Sequence, residues 1–428
     1  MEFFREKDFK VTKIGEIPKD WHVDILDEYA IIKGRIGWRG LKSSEYTKEG
    51  PFLIANTHIP KNRVEWEKCD HLSMYRYEES PEIQLKVRDV IMSKDGTIGQ
   101  VAYIDYLPGE ATLNSTMLLL RSKNKDLCSY YLYYFLQGFQ FRKFLNQKTA
   151  GGQIPHIFQR DMKELLIPLP KRQEQKDIAE LLSRVDKSIQ KTDEIIQRTQ
   201  ELKKGLMQKL LTKGIGHKKF KYREELGCEI PKEWSLKAVS ELCKKPEYGY
   251  TQSATEKPIG PKFLRITDIQ DGKVFWNKVP FCKCPESLIP KYLLQAGDIL
   301  FARSGATTGK SYLIKDCPKA VFASYLIRVR TKEEIVPEFL YYFFNSYYYW
   351  KQVKQKIGGS AQGGMNASLL SEIMVHFPIK QEQQQIASIL SKIDDQIEKE
   401  RQTKEQLEKL KKGLMQLLLT GKVRVKVN

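Results

Sequence analysis

Loops broken by glycine and proline carry the side chains of this sequence best suited to chemistry, and the chemistry they suit is recognition. Arginine pairs bidentately with guanine, and asparagine or glutamine with adenine, on the major-groove edges of base pairs. Lysines and hydroxyls hold phosphates. The candidates are Arg35, Arg39, Lys42, Asn56, Thr57, Lys94, Thr97 and Gln153 in the first half of the chain, and Tyr250, Thr251, Gln252, Arg265, Thr267, Arg303, Ser304 and Gln362 in the second. For any one of them a solvated or core-satisfied side chain is the commoner role. As a set, beside a formal net charge of +19 from 72 Lys and Arg against 53 Asp and Glu, they point to a polyanionic partner such as double-stranded DNA.

Catalytic patterns fail on inspection. GATTGKS (Gly305 to Ser311) invites a phosphate-loop reading, but that motif needs four residues between its glycines, and here Ala306, Thr307 and Thr308 make three. A turn between strands is the better reading. No Asn/Asp-Pro-Pro-aromatic tetrapeptide of the methyltransferase kind occurs, and none of the six histidines lies in an H-E-x-x-H pattern. A nuclease carboxylate cluster stays open, since its acids would be widely spaced, but nothing nominates one. No catalytic or metal constellation is found. The seven cysteines form no C-x-x-C pair and read as reduced structural thiols. No apolar run reaches membrane-spanning length and MEFFREKDFK is not a signal peptide, so a cytoplasmic protein without membrane contact is expected.

The elements that must position these loops are duplicated. Gln173 to Thr212 recurs, without a gap, as Gln381 to Thr420, with 20 of 40 residues identical. Both copies lack proline and read as long helices with a narrow apolar seam. It runs through Ile178, Leu182, Val185, Ile189, Ile196, Leu206 and Leu210 in the first and Ile386, Leu390, Ile393, Ile397, Leu407, Leu414 and Leu418 in the second. Thr192, Lys203, Lys404 and Lys411 place polar groups on that seam, so an isolated helix would be marginal and the two copies are expected to pack on each other. Gly205 and Gly413 fall inside the pattern, where glycine costs about 1 kcal/mol against alanine. Either another helix or a partner approaches there, or the helix stops.

The duplication extends through the globular parts. EIPKDW (Glu16 to Trp21) returns as EIPKEW (Glu229 to Trp234), FLIANTHI (Phe52 to Ile59) as FLRITDI (Phe263 to Ile269), and RDVIMSKDGTIGQ (Arg88 to Gln100) as GDILFARSGATTGK (Gly297 to Lys310). Short apolar runs between Gly, Pro and Asn make both parts β-rich, and the fold class is α+β. Framework positions match while the polar loop residues differ. A scaffold has been copied, and the surfaces it presents have not.

These motifs together carry a family resemblance over nearly the whole chain. The paired EIPK-[DE]-W openings, the GDILFARSG turn, the Pro170 to Gln175 and Pro378 to Gln383 helix starts and the two KKGLMQ-LLT ends make the sequence similar to the specificity subunits of type I restriction-modification systems. The resemblance implies a non-catalytic DNA-binding subunit. Its target-recognition domains, 1–170 and 214–378, would each read one half of a bipartite, asymmetric site. Spacer helices at 171–213 and within 379–428 would pair antiparallel, separate the domains as a coiled-coil ruler and give the molecule a pseudo-two-fold. Two methyltransferase subunits using S-adenosylmethionine, and restriction subunits using ATP and magnesium, would be the partners. Ile178, Leu182, Val185, Ile189, Leu206, Ile386, Leu390, Ile393, Ile397 and Leu414 are then the helix-pair and partner interface. Some 40 helical residues span roughly 60 Å, enough to set two readers on successive major-groove faces about 34 Å apart. A coiled-coil scaffold that binds only proteins, and a stand-alone nuclease, are the alternative readings. Whether the short start of the chain meets its end, Gly421 to Asn428, is left open by the sequence.

Overall fold

A computed structural model of the chain describes residues 3–35, 41–123, 125–149, 156–270, 272–357 and 364–425. Two compact units form, one from residues 1–193 with 402–428 and one from 194–401. Each mixes sheet and helix. The first long helix, Arg172–Lys213, contributes its opening turns to unit 1 and the rest to unit 2; the second, Lys380–Leu418, starts in unit 2 and ends in unit 1.

In unit 1 the central antiparallel sheet has the strand order Ala30–Gly34, Met117–Ser122, Val90–Ser93, Val101–Tyr103. Beside it, Phe52 to Ile54 run parallel to Ala111–Leu113. Unit 2 repeats the plan with Glu247–Tyr248, Leu326–Val329, Ile299–Ala302 and Ser311–Leu313, and with Lys262–Leu264 parallel to Ala320–Phe322. The GATTGK stretch is the turn between two of these strands, and the Thr308 hydroxyl donates to the Gly305 carbonyl within it. Strand pairing also corrects an alignment. Because Phe52 lies against Ala111 and Lys262 against Ala320, Phe263 stands where Leu53 does, one place from the match its sequence suggests. In both units the apolar run ends early, in a single 3-10 turn (Asn56–His58, Ile266–Asp268), because a side chain caps the backbone. His58 Nδ1 accepts from Ala55 N, and Asp268 Oδ2 from Arg265 N.

The aromatic run after the sheet makes two helices in each unit, Ser129–Phe135 with Phe139–Thr149, and Pro337–Phe344 with Tyr347–Ile357. Their buried faces join the sheet to the long helices. Ile178, Ala179 and Leu182 share one core with Tyr131, Phe135, Leu418 and Leu419, while Leu210, Leu211, Ile386 and Leu390 share another with Trp234, Phe339 and Tyr342. Burial of each leucine or isoleucine contributes roughly 1.5–3 kcal/mol. Of the seam positions, Ile178, Leu182, Val185, Ile386, Leu390 and Ile397 are buried, and Ile189, Leu206, Ile393 and Leu414 are half-buried.

The polar seam positions turn out to be paired. In unit 1, Lys411 Nζ lies 2.7 Å from Asp186 and Lys404 Nζ 2.6 Å from Asp193. One helix steps forward by seven (193 − 186) as the other steps back by seven (411 − 404), so the segments run antiparallel. Unit 2 holds the counterpart of the first pair, Lys203 with Asp394 at 2.5 Å. Each equivalent aspartate also accepts a tyrosine hydroxyl, from Tyr134 at 2.9 Å and from Tyr342 at 2.8 Å. Half-exposed ion pairs of this kind stabilise by about 1 kcal/mol or less, so their contribution is to register.

Both helices are fixed at their starts and ends by the same devices. Gln175 is buried; its Nε2 donates to the Asp126 and Pro170 carbonyls and its Oε1 accepts from Cys128 N. Gln383 repeats this with Glu334, Pro378 and Val336 N. After the last turn of each long helix comes a glycine with positive φ, Gly214 (61°) and Gly421 (69°). A Cβ there would strike Trp234 and Glu382 in one unit, or Pro18 and Trp21 in the other, so glycine is required at both stops.

Two readings left open by the sequence are settled. Phe3–Arg5 pairs antiparallel with Val423–Val425, so the start and end of the chain meet within unit 1. Arg424 fastens that closure, reaching Glu6, Asp20 and the buried Glu174. Helix continues through Gly205 and Gly413, which excludes a helix stop, and among the described residues a Cβ at either position would meet nothing beyond its own helix. All seven cysteines are free, and burial pushes the thiols of Cys69 and Cys243 up to about 12.

Candidate nucleic-acid interface

At one end of the central sheet of unit 1, the strands stop together at Gly34, Ser93 and Met117. Four candidates gather there. Asn56 Nδ2 donates to the Asp95 carbonyl at 3.3 Å, which brings the 3-10 turn carrying Asn56 and the exposed Thr57 against the turn carrying Lys94 and the exposed Thr97. The backbone of Lys94 is held on both sides, its N–H by the Thr116 carbonyl and its carbonyl by Ile157 N. Its ammonium pairs with Asp95 at 2.7 Å, and Asp95 also contacts the His156 ring. The charge of Lys94 is therefore largely spent locally.

Arg35, next on the strand, turns inward. It is 6% exposed, its Nε donates to the Leu113 carbonyl and its Nη1 to Ser80 Oγ. Burial, and then the neighbouring Arg76, hold its guanidinium below the usual arginine pKa. Its place in the structure is that of a brace between strands. Lys42 is exposed beside Glu45, which pairs with Arg76. Arg39, Gln153 and Gln362 lie outside the described residues.

Unit 2 builds the same sheet end from Tyr248, Ala302 and Leu326. Tyr250 N donates to the Phe322 carbonyl and Ser324 N to the Tyr250 carbonyl, while Arg303 N donates to the Tyr325 carbonyl at 3.0 Å. Tyr250, Arg303 and Ser304 are thereby brought together, with the exposed Thr251 and Gln252 following in the chain; Gln252 Nε2 donates to the Lys283 carbonyl at 3.4 Å. The Arg303 guanidinium lies over the Tyr248 ring, 5.0 Å from its centre. Arg265 is committed elsewhere, its fork closed on Asp268 at 3.0 and 2.8 Å, beside the exposed Thr267.

Sequence reasoning passed over Tyr248 and Tyr325. Tyr325 is 63% exposed, between two buried strands. A signal was present: Ser324 and Tyr325 interrupt an otherwise apolar run from Ala320 to Ile327 at the point where its strand must restart. Also missed were Asp186, Asp193 and Asp394, the partners of the seam lysines.

The Type I restriction modification DNA specificity domain family model matches residues 42–201 and 231–409, one match in each half. The chain belongs to this specificity-subunit family. Members of it are the non-catalytic recognition components of type I systems. The type I restriction enzyme MjaVIII specificity subunit of Methanocaldococcus jannaschii is 32% identical over 436 residues, spanning 100% of this chain and 98% of its own. The fold is that of the type I restriction-modification S subunit from M. genitalium, at TM-score 0.60 and 17% identity over 96% of this chain and 97% of that one. A chain from a structure addressing complex assembly and conformational transition of the type I R-M system matches at TM-score 0.55 and 15% identity, over 95% of this chain and 99% of that one. No described helix of this specificity-subunit homologue is long and apolar enough to cross a membrane.

Proposed function

We propose that the chain reads a split, asymmetric sequence in double-stranded DNA, one half-site by the sheet end of each unit, and that it does so as the cytoplasmic specificity subunit of a type I complex. The observation that carries this reading is a framework repeated bond for bond under surfaces that differ. Asp89 with Arg121, Gln175 and Tyr134 with Asp186 have their counterparts in Asp298 with Arg330, Gln383 and Tyr342 with Asp394. At the equivalent sheet ends, however, Lys94, Asp95 and Gly34 stand against Arg303, Ser304 and Tyr248. Two unlike readers on one scaffold suit two unlike half-sites, and the +19 formal charge suits phosphate.

The paired helices set the spacing of the half-sites, and two methyltransferase subunits dock on them. Support for docking comes from Leu202 and Leu410, equivalent positions that are 57% and 50% exposed, each a turn from a glycine whose added Cβ would meet no neighbour among the described residues. S-adenosylmethionine belongs to those methyltransferase subunits, and ATP and magnesium to the restriction subunits. The test is selection from a randomised duplex pool by the chain assembled with its methyltransferase subunits. Enrichment of two short, different motifs at a fixed separation is the expected result. A complex that selects no sequence would leave the chain a protein-binding scaffold, and cleavage of plasmid by the chain alone with magnesium would make it a nuclease.

A further inference from the structure

We propose that Arg303, braced by Tyr248, reads a guanine in one half-site only. The assignment rests on the DNA-reading function above and names the base edge that the sheet end of unit 2 recognises.

The arginines of this unit's sheet region divide sharply. Arg265 is closed on Asp268, Arg328 on Glu247 and Arg330 on Asp298. Arg303 is exposed, and among the described residues its guanidinium has no hydrogen-bond or ion-pair partner. Its backbone is nonetheless fixed, because its N–H donates to Tyr325 and its carbonyl accepts from Met365 N at 2.9 Å. The side chain is steadied by the Tyr248 ring, and that ring is held in turn by its hydroxyl, which accepts from Ala367 N at 3.0 Å. Stacking on an aromatic face leaves the donors at the edge of the guanidinium plane free, so the fork is presented already oriented. Guanine alone offers two adjacent acceptors, O6 and N7, to such a fork in the major groove. Tyr325, exposed beside Arg303, offers a ring and a hydroxyl to whatever the fork engages.

The other unit keeps the anchored backbone, at Lys94, but among its described residues it has neither the fork nor the ring. Where Tyr248 faces Ile327, Gly34 faces Leu118, so that sheet position offers no ring. Lys94 replaces the arginine, and Asp95, in the place of Ser304, neutralises it. The preference for guanine therefore belongs to the half-site read by unit 2.

The experiment is selection from a randomised duplex pool by the chain complexed with its methyltransferase subunits, comparing the natural chain with Arg303→Lys and Tyr248→Leu. Lysine keeps the charge for a phosphate and loses the fork. The natural complex is expected to enrich guanine at one position of one half-site. Arg303→Lys should weaken that preference about tenfold or more, and Tyr248→Leu several-fold. The unchanged second half-site reports that the complex is intact. Placing 7-deazaguanine at the position, which deletes the N7 acceptor, should weaken the natural complex and leave Arg303→Lys unaffected. An undiminished guanine preference in Arg303→Lys would show that the guanidinium fork is not what selects the base and overturn the assignment, as would a change in both half-sites. Should the natural complex enrich nothing, the DNA-reading function itself falls, and this assignment with it.

Discussion

Acidification should destabilise unit 2 through one buried histidine. His376 is fully buried, with its ring among Trp234, Phe343 and Tyr348. Its Nε2–H donates to the Leu211 carbonyl near the end of the first long helix, where helix carbonyls lack intrahelical partners. Nδ1 is then the unprotonated nitrogen, buried and without a partner among the described residues. A second proton would put a charge there with nothing to receive it. Burial, only partly opposed by the bond to Leu211, pushes the pKa from the ordinary 6.5 down to about 4. The folded value lies below the unfolded one, so the unfolded chain takes up the proton first as pH falls. Stability is complete above about pH 6.5 and drains until about pH 4. At ~1.36 kcal/mol per pH unit the interval amounts to roughly 3 kcal/mol, a large share of a domain's stability. His376→Leu abolishes the titration while keeping an apolar side chain of similar bulk. Urea unfolding of both proteins at steps from pH 7.5 to pH 4 isolates the histidine, since the carboxylates titrate in each. The natural chain should lose about 3 kcal/mol more than the variant across that range. Parallel pH profiles would refute the reasoning.

Two further outcomes are expected. Gly205→Ala and Gly413→Ala, made together, should raise the unfolding midpoint of the isolated chain, since each replaces a costly helical glycine by about 1 kcal/mol where no atom is displaced. The same variant should bind methyltransferase subunits less tightly in titration calorimetry, and unaltered binding would place the docking surface elsewhere. Arg424→Met should destabilise unit 1 by about 3 kcal/mol or more in denaturant titration, because Glu174, 1% exposed, loses the guanidinium that neutralises it. Adding Glu174→Gln should recover part of the loss, and its failure to do so would mean the carboxylate is not the cause.

Periodicity and duplication made the long helices and the β-rich parts legible, because a repeated seam and repeated turn residues are local signals. The lysines at 203, 404 and 411 looked like liabilities on that seam, since their aspartates lie about two hundred residues away in the chain and nothing local announces them. Gly205 and Gly413 were compatible with a helix stop in sequence. A cost of about 1 kcal/mol is too small to break a helix that buries leucines on either side. Arg35 shows the limit for site residues. A loop arginine reads as a base contact until the fold supplies a carbonyl and a serine hydroxyl to absorb it. Conversely, Arg303 gains its character from Tyr248, a neighbour across the sheet that no spacing rule connects to it.

The glutamine at the start of each long helix grips only main-chain atoms of the globular part: two carbonyls and one amide. A grip of that kind is blind to side-chain identity. A foreign reader with the same backbone path would find these three hydrogen bonds ready for it, whatever its side chains. The surface a globular part presents can thus change without altering the glutamine that holds it.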